Sequence, residues 1–534
     1  MNWGKTSLRV NNLTVSFQEP VVKGVSLEVF PGKTTAIVGE SGSGKTILSM
    51  AIMGLLPNSA RIETGEVKGL AGEVWANAAC ERGAPVGREI SMVFQDPMSS
   101  LNPSMIVGEQ VAEPLLIHEK ITKEECKERV LNLFKEVELS DPEIAYEKFP
   151  HELSGGQKQR IMIAMALACD PKILIADEPT TALDVTVQDT ILKLLQRLQK
   201  KRNLGVLFIS HDLDVVRDIA DYVLVMRYGE VMEQGACKQV LCAPGHEYTK
   251  ELLASRPKRG DDSENGEKED EKILIEARGV CLDYVTDKNW LGNASEFFSA
   301  VKDVTFNIKS GERVGLVGES GSGKSSLGKV LLGMEPVSSG EVLWKGKVID
   351  FTDRSSLQNF RRSAQPVFQD PFSALNPRMK IGATLAEAIM VRGGVDDIEI
   401  KVSDLLKEVG LDESDAEKYP GSFSGGQRQR IVLARALAIE PEFLVLDESV
   451  AALDLRIQAE ILNLLSEIQK ERDLAFLFIS HDLTVIEAIC DRVLIMKSGE
   501  IVEEAETQTL FSNPKNPYTK RLLKSRPGLQ EIRN

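Results

Sequence analysis

The stretch GESGSGKT occupies residues Gly39–Thr46, and GESGSGKS returns at Gly318–Ser325. Both fit the pattern G-x-x-x-x-G-K-[ST], in which glycines allow backbone N–H groups to surround phosphate oxygens. The preceding letters, TTAIVG and GERVGLVG, predict short buried strands, and the letters after each loop predict a helix. A strand, such a loop and a helix N-terminus together predict a binding site for nucleotide phosphates.

The polar residues of each loop have separate predicted tasks. Lys45 and Lys324 supply a compact positive charge to the outer phosphates, and Thr46 and Ser325 offer a hydroxyl to Mg²⁺. The residues predicted to contact nucleotide in these loops are Gly39, Glu40, Ser41, Gly42, Ser43, Gly44, Lys45 and Thr46, then Gly318, Glu319, Ser320, Gly321, Ser322, Gly323, Lys324 and Ser325.

The two loops belong to two copies of one sequence. LSGGQKQRIMIAMALA, from Leu153, recurs as FSGGQRQRIVLARALA from Phe423, and ISHD is repeated around His211 and His481. In both cases the shift is 270 residues, which indicates tandem domains because the repeats of solenoids are about 20–50 residues long.

The repeat also predicts domain boundaries. Each copy ends in a similar tail, YTKELLASRP or YTKRLLKSRP, so the domains are expected at residues 1–257 and 273–534. Between them, residues 258–272 are acidic and lack apolar side chains. Because such a segment buries too little surface to offset its ordering entropy, a flexible linker is predicted there.

Composition excludes several classes of protein. The formal net charge of −16 argues against a nucleic-acid-coating protein, which needs clustered Lys and Arg. The N-terminus lacks a signal-peptide core, and no apolar run reaches about 18 residues, so neither secretion nor a membrane span is expected. The seven cysteines form no CxxC pair, which favours free thiols in a reducing compartment over a zinc site.

Paired acids follow an apolar run in each copy, in ILIADE and FLVLDE. Such a run predicts a buried parallel strand whose carboxyl end opens towards the ligand side of the sheet. The first acid, Asp177 or Asp447, is predicted to hold Mg²⁺, and the second, Glu178 or Glu448, to polarise the attacking water. An acidic helix cap is the alternative for either pair taken alone.

A histidine and a glutamine complete each predicted catalytic set. His211 and His481 follow apolar strands and are predicted to hydrogen-bond the γ-phosphate and the attacking water, although a lone histidine there is more often structural. Gln95 and Gln369, in VFQDP, are predicted to contact the metal and to sense a partner. A surface-loop glutamine is the alternative.

SGGQ opens a predicted helix in each copy and forms a second anion site from a serine hydroxyl, glycine N–H groups and a helix N-terminus. Two phosphate-binding elements per half exceed the needs of one intramolecular site, so each loop is expected to face the SGGQ of the other half. Fusion supplies both halves in equal number. The residues of this element are Ser154, Gly155, Gly156 and Gln157, then Ser424, Gly425, Gly426 and Gln427.

These motifs closely resemble those of the ATP-binding cassette ATPases of ABC transporters, over nearly the whole chain. The resemblance implies an α/β fold with two tandem P-loop domains, each with a mainly parallel core sheet, an antiparallel β subdomain and a helical subdomain. It also implies ATP and Mg²⁺ as cofactors. By the same resemblance, Asp184 and Asp454 belong to the D-loop, and Phe17 and Tyr284 align with the aromatic residue that stacks on adenine.

A narrower resemblance is to the ATPases of bacterial oligopeptide and dipeptide importers, carried by GESGSGK, by QDPMSSLNP and QDPFSALNP, and by the two tails. It implies a motor at the cytoplasmic face of the membrane, beneath two transmembrane permease subunits, with an extracytoplasmic solute-binding protein delivering peptides or related small solutes. The departures from the family pattern are Ser449 in place of proline, Ala452 in the D-loop and Phe423 in place of leucine.

The alternative is a soluble twin-cassette ATPase that acts on ribosomes or DNA. Translation-factor relatives carry a long charged helical linker and an asparagine-histidine pair near the D-loop, which TTALD and VAALD lack. DNA-repair relatives carry zinc insertions, which the cysteine pattern does not support. The sequence therefore favours the transporter motor and predicts no nucleic-acid partner.

Overall fold

A computed structural model of the chain describes residues 7–70, 72–78, 84–180, 183–255, 272–288, 294–368, 370–394, 396–450 and 453–528. Two compact units are formed: one from the residues up to Ser255 and those from Arg526 onward, the other from the residues between. Gln369, Ala452 and the predicted linker, apart from Lys272, lie outside the described residues.

The first unit contains a mainly parallel sheet and an antiparallel sheet. The parallel sheet has the order β10-β9-β3-β8-β7-β6, in which only the β9–β10 pair is antiparallel, and the second sheet has the order β2-β1-β4-β5. Its strands are β1 (Leu8–Ser16), β2 (Pro20–Val29), β3 (Thr34–Val38), β4 (Arg61–Lys68), β5 (Val74–Asn77), β6 (Ile90–Val93), β7 (Ile173–Asp177), β8 (Gly205–Ser210), β9 (Tyr222–Arg227) and β10 (Glu230–Ala236).

Helices cover the parallel sheet and form a separate group between β6 and β7. They are α1 (Lys45–Met53), α2 (Pro97–Ser100), α3 (Val107–His118), α4 (Lys123–Glu136), α5 (Pro142–Tyr146), α6 (Gly155–Ala166), α7 (Val185–Arg202), α8 (Leu213–Ile219), α9 (Cys237–Cys242) and α10 (Glu247–Ala254).

Short apolar runs in the sequence form the central strands of this sheet. Every residue of β3, β7 and β8 is buried, because a parallel sheet packed on both faces needs near-continuous apolar strands. The antiparallel sheet joins the same core through residues such as Trp75 and Val67. The carboxyl ends of β3, β8 and β7 therefore lie side by side at one edge of the sheet.

The second unit repeats this plan. Its mainly parallel sheet has the order β16-β17-β18-β13-β19-β20 and its antiparallel sheet the order β12-β11-β14-β15. Its strands are β11 (Ile273–Lys288), β12 (Ala294–Lys309), β13 (Arg313–Val317), β14 (Ser339–Trp344), β15 (Lys347–Val348), β16 (Ala364–Val367), β17 (Phe443–Asp447), β18 (Ala475–Ile479), β19 (Arg492–Lys497) and β20 (Glu500–Glu506).

The helices of the second unit occupy the corresponding places. They are α11 (Lys324–Leu331), α12 (Arg354–Ser363), α13 (Pro371–Ala374), α14 (Ile381–Arg392), α15 (Ile398–Glu408), α16 (Gly425–Leu437), α17 (Leu455–Arg472), α18 (Leu483–Ile489), α19 (Thr507–Ser512) and α20 (Pro517–Lys524). Within the described ranges, no helix combines the length and the apolar character needed to cross a bilayer.

The cysteines and acids of the described ranges give no sign of a zinc site. Each described cysteine is a free thiol, and these ranges hold no group of three or more His, Cys, Asp or Glu residues placed to bind a metal.

Candidate nucleotide site

The glycine-rich loop of the first unit connects β3 to α1 at the edge of the parallel sheet. Gly44 has a φ of 96°, in the left-handed region, and α1 begins at the next residue, so the first N–H groups of the helix face the loop. At Gly39, a Cβ atom would lie 2.2 Å from the carbonyl oxygen of Met226. Glycine is therefore required at both positions by backbone geometry, and Gly318 and Gly323 repeat this arrangement in the second unit.

The loop lysines are buried within their own loops. Lys45 Nζ donates to the carbonyl oxygens of Gly39, at 2.7 Å, and Glu40, at 2.9 Å. Lys324 Nζ makes the same two bonds to Gly318 and Glu319. Backbone carbonyls thus hold each ammonium group inside the concavity of the loop, where it supplies the charge that an anion needs.

The sheet brings the predicted metal-binding hydroxyl and carboxylate together in both units. Thr46 hydrogen-bonds Asp177, and Ser325 Oγ donates to Asp447 Oδ1 at 3.1 Å. Asp177 ends β7, and Thr46 lies in the first turn of α1. The hydroxyl and the carboxylate of each pair are about 120–130 residues apart in sequence. In the first unit they meet because β3, which leads into the loop, and β7, which ends in Asp177, lie on either side of β8.

These oxygens fit a divalent cation. Asp177 is only 2% exposed, and its Oδ1 atom finds no hydrogen-bond partner among the described residues. Burial raises the pKa of Asp177 to about 6, and burial also raises the pKa of Asp447. A buried carboxylate with an unsatisfied oxygen beside a hydroxyl is the donor set that Mg²⁺ accepts.

Replacing Asp177 by asparagine is expected to stabilise the nucleotide-free protein. Because the folded-state pKa of about 6 lies above the usual 3.8, the ionised carboxylate opposes folding by about 3 kcal/mol above pH 6. Near pH 4 the folded carboxyl is protonated and most of this cost disappears. Asp177→Asn should therefore raise the Tm of the first unit far more at pH 7.5 than at pH 4, as measured by calorimetry.

The same variant is expected to lose magnesium-dependent hydrolysis at this site. The matched control is Asp189→Asn, which removes a carboxylate of α7 that forms an ion pair with Lys193. An Asp177→Asn protein with a lower Tm at pH 7.5, or with an equal gain at both pH values, would contradict this account of the buried charge.

Glu178 and its partners form a compact polar group. His211 Nδ1 lies 3.1 Å from Glu178 Oε1, and Gln95 Nε2 donates to Glu178 Oε2 at 2.8 Å. The backbone of Glu178 has a φ of 46°, in the left-handed region, and its N–H donates to the carbonyl of Ile209 in β8. A non-glycine residue in this conformation is strained, and such strain concentrates at functional sites.

The second unit repeats this group at Glu448, whose φ is 47°. His481 Nδ1 lies 3.3 Å from Glu448 Oε1. The hydrogen bond from His481 holds the pKa of Glu448 below its usual value despite burial. Burial opposes protonation of His481, but Glu448 outweighs it and raises the pKa of the imidazole. The glutamate therefore carries its charge at neutral pH. Gln369, the counterpart of Gln95, lies outside the described residues.

The SGGQ segments open α6 and α16 as the sequence indicates. Each serine forms a capping box with the glutamine three residues later: Ser154 accepts from the N–H of Gln157, and Ser424 accepts from that of Gln427. In the first unit α6 packs against α2, α3, α4, α7 and strand β6, whereas α1 packs against β1, β2, β5 and β7.

The remaining predicted residues border these elements. Tyr284 extends from β11 and its hydroxyl lies 3.4 Å from Ser326 Oγ, directly after the loop, while Phe17 follows β1 and is half-buried. Asp184 caps α7 through the N–H of Val187, and Asp454 stands at the start of α17. Ser449, which replaces Pro179 of the first copy, is buried and its Oγ has no hydrogen-bond partner among the described residues.

Each unit has a parallel sheet with a GxxxxGK[ST] loop, paired acids on a nearby strand and a histidine beside the second acid. These features together define a P-loop nucleotide hydrolase. The ABC transporter family matches at residues 22–181 and 301–451, and the oligopeptide/dipeptide transporter C-terminal region matches at residues 232–279 and 502–534. The chain belongs to the ABC transporter family of ATP-binding proteins, and it carries two cassettes.

Relatives of known name match over nearly the full length. The glutathione import ATP-binding protein GsiA of Salmonella choleraesuis is 40% identical over 97% of this chain and 89% of its own length. GsiA of Escherichia coli K12 is 40% identical over 98% of this chain and 90% of its own length.

Among solved structures, cbiO1 of Clostridium perfringens, part of an ABC transporter complex, is 30% identical over 46% of this chain and 92% of its own, with a TM-score of 0.40. A dimeric bacterial ABC transporter cassette is 28% identical over 44% of this chain and 99% of its own, also with a TM-score of 0.40.

The family, the tandem α/β P-loop fold and the ATPase activity predicted from the sequence are therefore confirmed. ATP is the nucleotide that such a protein binds.

Proposed function

We propose that this protein is the ATP-hydrolysing motor of a bacterial-type importer, at the cytoplasmic face of the membrane. The observation that carries the proposal is the pair of complete cassettes, each followed by a tail of the oligopeptide/dipeptide transporter type. Residues 1–257 and 273–534 would be the two motor domains, joined by the acidic segment at 258–272. The importer would comprise two permease subunits and an extracytoplasmic solute-binding protein.

The proposed chemistry divides among the residues of each unit. Lys45 and the loop N–H groups bind the β- and γ-phosphates of ATP, and Glu178 accepts a proton from the attacking water. His211, which is placed against Glu178 at 3.1 Å, orients the water and the γ-phosphate. Gln95, bonded to the other oxygen of Glu178, connects this group to the surface loop that begins α2.

Thr46 with Asp177, and Ser325 with Asp447, would hold Mg²⁺. When bound, the ion supplies positive charge that neutralises the phosphate oxygens of ATP. The protein's own part is to hold the carboxylate against the hydroxyl, as the bond from Ser325 to Asp447 illustrates.

We place each ATP between the glycine-rich loop of one half and the SGGQ segment of the other. The support is local: α6 and α16 each present capped N-terminal N–H groups and a serine hydroxyl, which favour an anion. Binding of both nucleotides would join the halves through charge-assisted hydrogen bonds, and loss of the γ-phosphate would release them.

Exposed apolar side chains at the ends of two equivalent helices, α3 and α14, provide a surface for permease helices. In the first unit Ile117, at 69% exposed, and Leu116 lie at the end of α3. In the second unit Val391 and Met390 lie at the end of α14, at 52% and 60% exposed. A soluble protein gains nothing from apolar groups repeated at equivalent places, whereas a partner helix would bury them.

The combined variant Ile117→Asp and Val391→Asp is therefore expected to detach the protein from its membrane partners. Affinity purification from detergent-solubilised membranes should recover permease subunits with the native chain and at least ~10-fold less with the variant, because burying a charge without a partner is costly. The ATPase activity of the purified protein should remain, since neither residue touches the nucleotide site.

The matched control is Val348→Asp, which adds the same charge to an exposed valine of the antiparallel sheet. Recovery of ribosomes with the native chain, and of no membrane protein, would overturn the proposal in favour of the alternative twin-cassette class.

We propose peptides and related small solutes, with glutathione among them, as the cargo. The support is the tail type together with 40% identity to glutathione import ATP-binding proteins. Uptake of labelled glutathione and of labelled di- and oligopeptides by cells with and without this chain tests the cargo. Equal uptake of every labelled solute would contradict it.

A further inference from the structure

The tail of the second unit is fastened to β20 by one carboxylate. Glu503 accepts from the N–H groups of Lys515, at 2.7 Å, and Asn516, at 3.0 Å. Asn516 in turn caps α20 by accepting from the N–H of Tyr518, at 2.8 Å, and donates to the carbonyl of Val502. This clamp sets the position of the first turn of α20, and it therefore sets the position of the Tyr518 side chain.

Tyr518 reaches from this turn to the glycine-rich loop. The residue is 5% exposed, and its hydroxyl oxygen accepts from the N–H of Glu319 at 3.1 Å. Lys497, on β19, places its ammonium group 5.1 Å from the centre of the tyrosine ring. The phenol is thus fixed both by packing and by a cation above its face.

The contacted N–H belongs to the peptide unit that joins Gly318 to Glu319. The carbonyl of the same peptide unit, on Gly318, accepts from Lys324 Nζ at 2.7 Å. A continuous chain of hydrogen bonds therefore runs from the Tyr518 hydroxyl through one peptide to the loop lysine. Bonds at the two ends of one amide polarise it and strengthen each other.

We propose that Tyr518 is a positioning residue for ATP binding at the second loop, through which the C-terminal tail acts on Lys324. The hydroxyl holds the peptide that orients the lysine, so the loop is pre-organised for phosphate before nucleotide arrives. The inference rests on the proposed assignment of Gly318–Ser325 as a nucleotide loop. No catalytic role is given to the tyrosine, which lies on the side of the peptide opposite the lysine.

The coupling is reciprocal by thermodynamic necessity. If the tail changes the affinity of the loop for ATP, ATP changes the stability of the tail contact by the same factor. Nucleotide binding draws Lys324 towards phosphate oxygens and alters the bond at the Gly318 carbonyl. The amide of Glu319 and the first turn of α20 should therefore both respond to nucleotide.

The test replaces Tyr518 by phenylalanine, which keeps the ring and removes the hydroxyl. In the full chain with Lys45→Ala, which weakens the first loop, we expect Tyr518→Phe to raise the Kd for ATP about 3- to 10-fold. With the first loop intact, KM for ATP should rise and kcat at saturating ATP should stay near the native value. A purely structural role would instead lower the Tm and the active fraction without changing Kd.

Two further variants show whether a negative result overturns the role of Tyr518 or the assignment of the loop as a nucleotide site. The control Tyr419→Phe removes the hydroxyl of an exposed tyrosine whose counterpart in the first copy is Phe149, and it should leave Kd unchanged. If Lys324→Ala abolishes ATP binding in the Lys45→Ala chain while Tyr518→Phe leaves Kd unchanged, the tail inference alone is overturned. If Lys324→Ala has no effect, the assignment of the loop is overturned.

Hydrogen exchange of the unmodified chain gives a test that does not depend on a variant. Addition of ATP should slow exchange at the amide of Glu319 and in the first turn of α20. Unchanged exchange at both places, with ATP bound at the second loop, would overturn the proposal.

Discussion

The double replacement Glu178→Gln with Glu448→Gln is expected to reduce ATP turnover by about 10²- to 10⁴-fold, the usual contribution of a positioned general base. Glutamine has the shape of glutamate and retains a hydrogen bond to the neighbouring histidine, but it does not take a proton from water. Because the loops and the hydroxyl–carboxylate pairs are untouched, ATP should still bind. Release of phosphate measures turnover, and retention of ATP through gel filtration measures binding.

The matched control is Glu440→Gln. Glu440 also has a positive φ, of 53°, but it pairs with Arg392 and Lys401 at the surface. Glu440→Gln therefore removes a negative charge from a residue with the same backbone conformation, but at a position outside the nucleotide site. Near-native turnover in the double variant would eliminate these glutamates as the bases.

A charge placed at one SGGQ segment is expected to affect the loop of the other half. Ser154→Asp keeps a good N-cap for α6, so the helix remains, but the carboxylate repels a triphosphate. Like charges brought together at an interface cost several kcal/mol, which corresponds to a loss of about 10²-fold or more in retained nucleotide.

The affected half can be read by mass spectrometry after labelling with a photoreactive azido-ATP. With Ser154→Asp, label should disappear from peptides of the second unit and remain in the first, and Ser424→Asp should give the converse. The control Ser255→Asp alters a half-buried serine at the C-cap of α10 instead of an anion site. Loss of label from the same half that carries the substitution would contradict a site shared between halves.

The sequence predicts the glycine-rich loops, the paired acids and the histidines because each of these motifs directly follows a short apolar run that indicates a buried strand. TTAIV and ILIAD are buried on every residue, so period and length identify parallel strands, and the edge of the sheet then collects Lys45, Asp177 and His211. The capping boxes at Ser154 and Ser424 are likewise visible in SGGQ, since a serine followed three residues later by glutamine specifies a helix start.

Other features have no local signature. Strand β4 reads RIETGEVK, and its charged and only partly buried residues conceal a strand that pairs with β1 and β5. The segment at 67–88 contains β5, and part of it lies outside the described residues. Such strands form because they pair with neighbouring strands, and the β-propensity of their own residues does not reveal them.

The remaining features of the site depend on contacts between residues that are far apart in sequence. The left-handed backbone of Glu178 and Glu448 arises from the turn that each strand makes beside its neighbour, as the N–H bond of Glu448 to Ile479 demonstrates. The bond from Glu319 to Tyr518 joins residues 199 apart in sequence. YTKRLLKSRP alone indicates an amphipathic helix and says nothing of the loop that its tyrosine contacts.

The central claim is that ATP is bound by both halves at once, and an experimental structure of the Glu178→Gln, Glu448→Gln chain with Mg²⁺ and ATP tests it most directly. Two nucleotides are expected, one with phosphates between Lys45 and Ser424, the other between Lys324 and Ser154. Nucleotide contacted by the residues of one half alone, with both serines directed elsewhere, would contradict it.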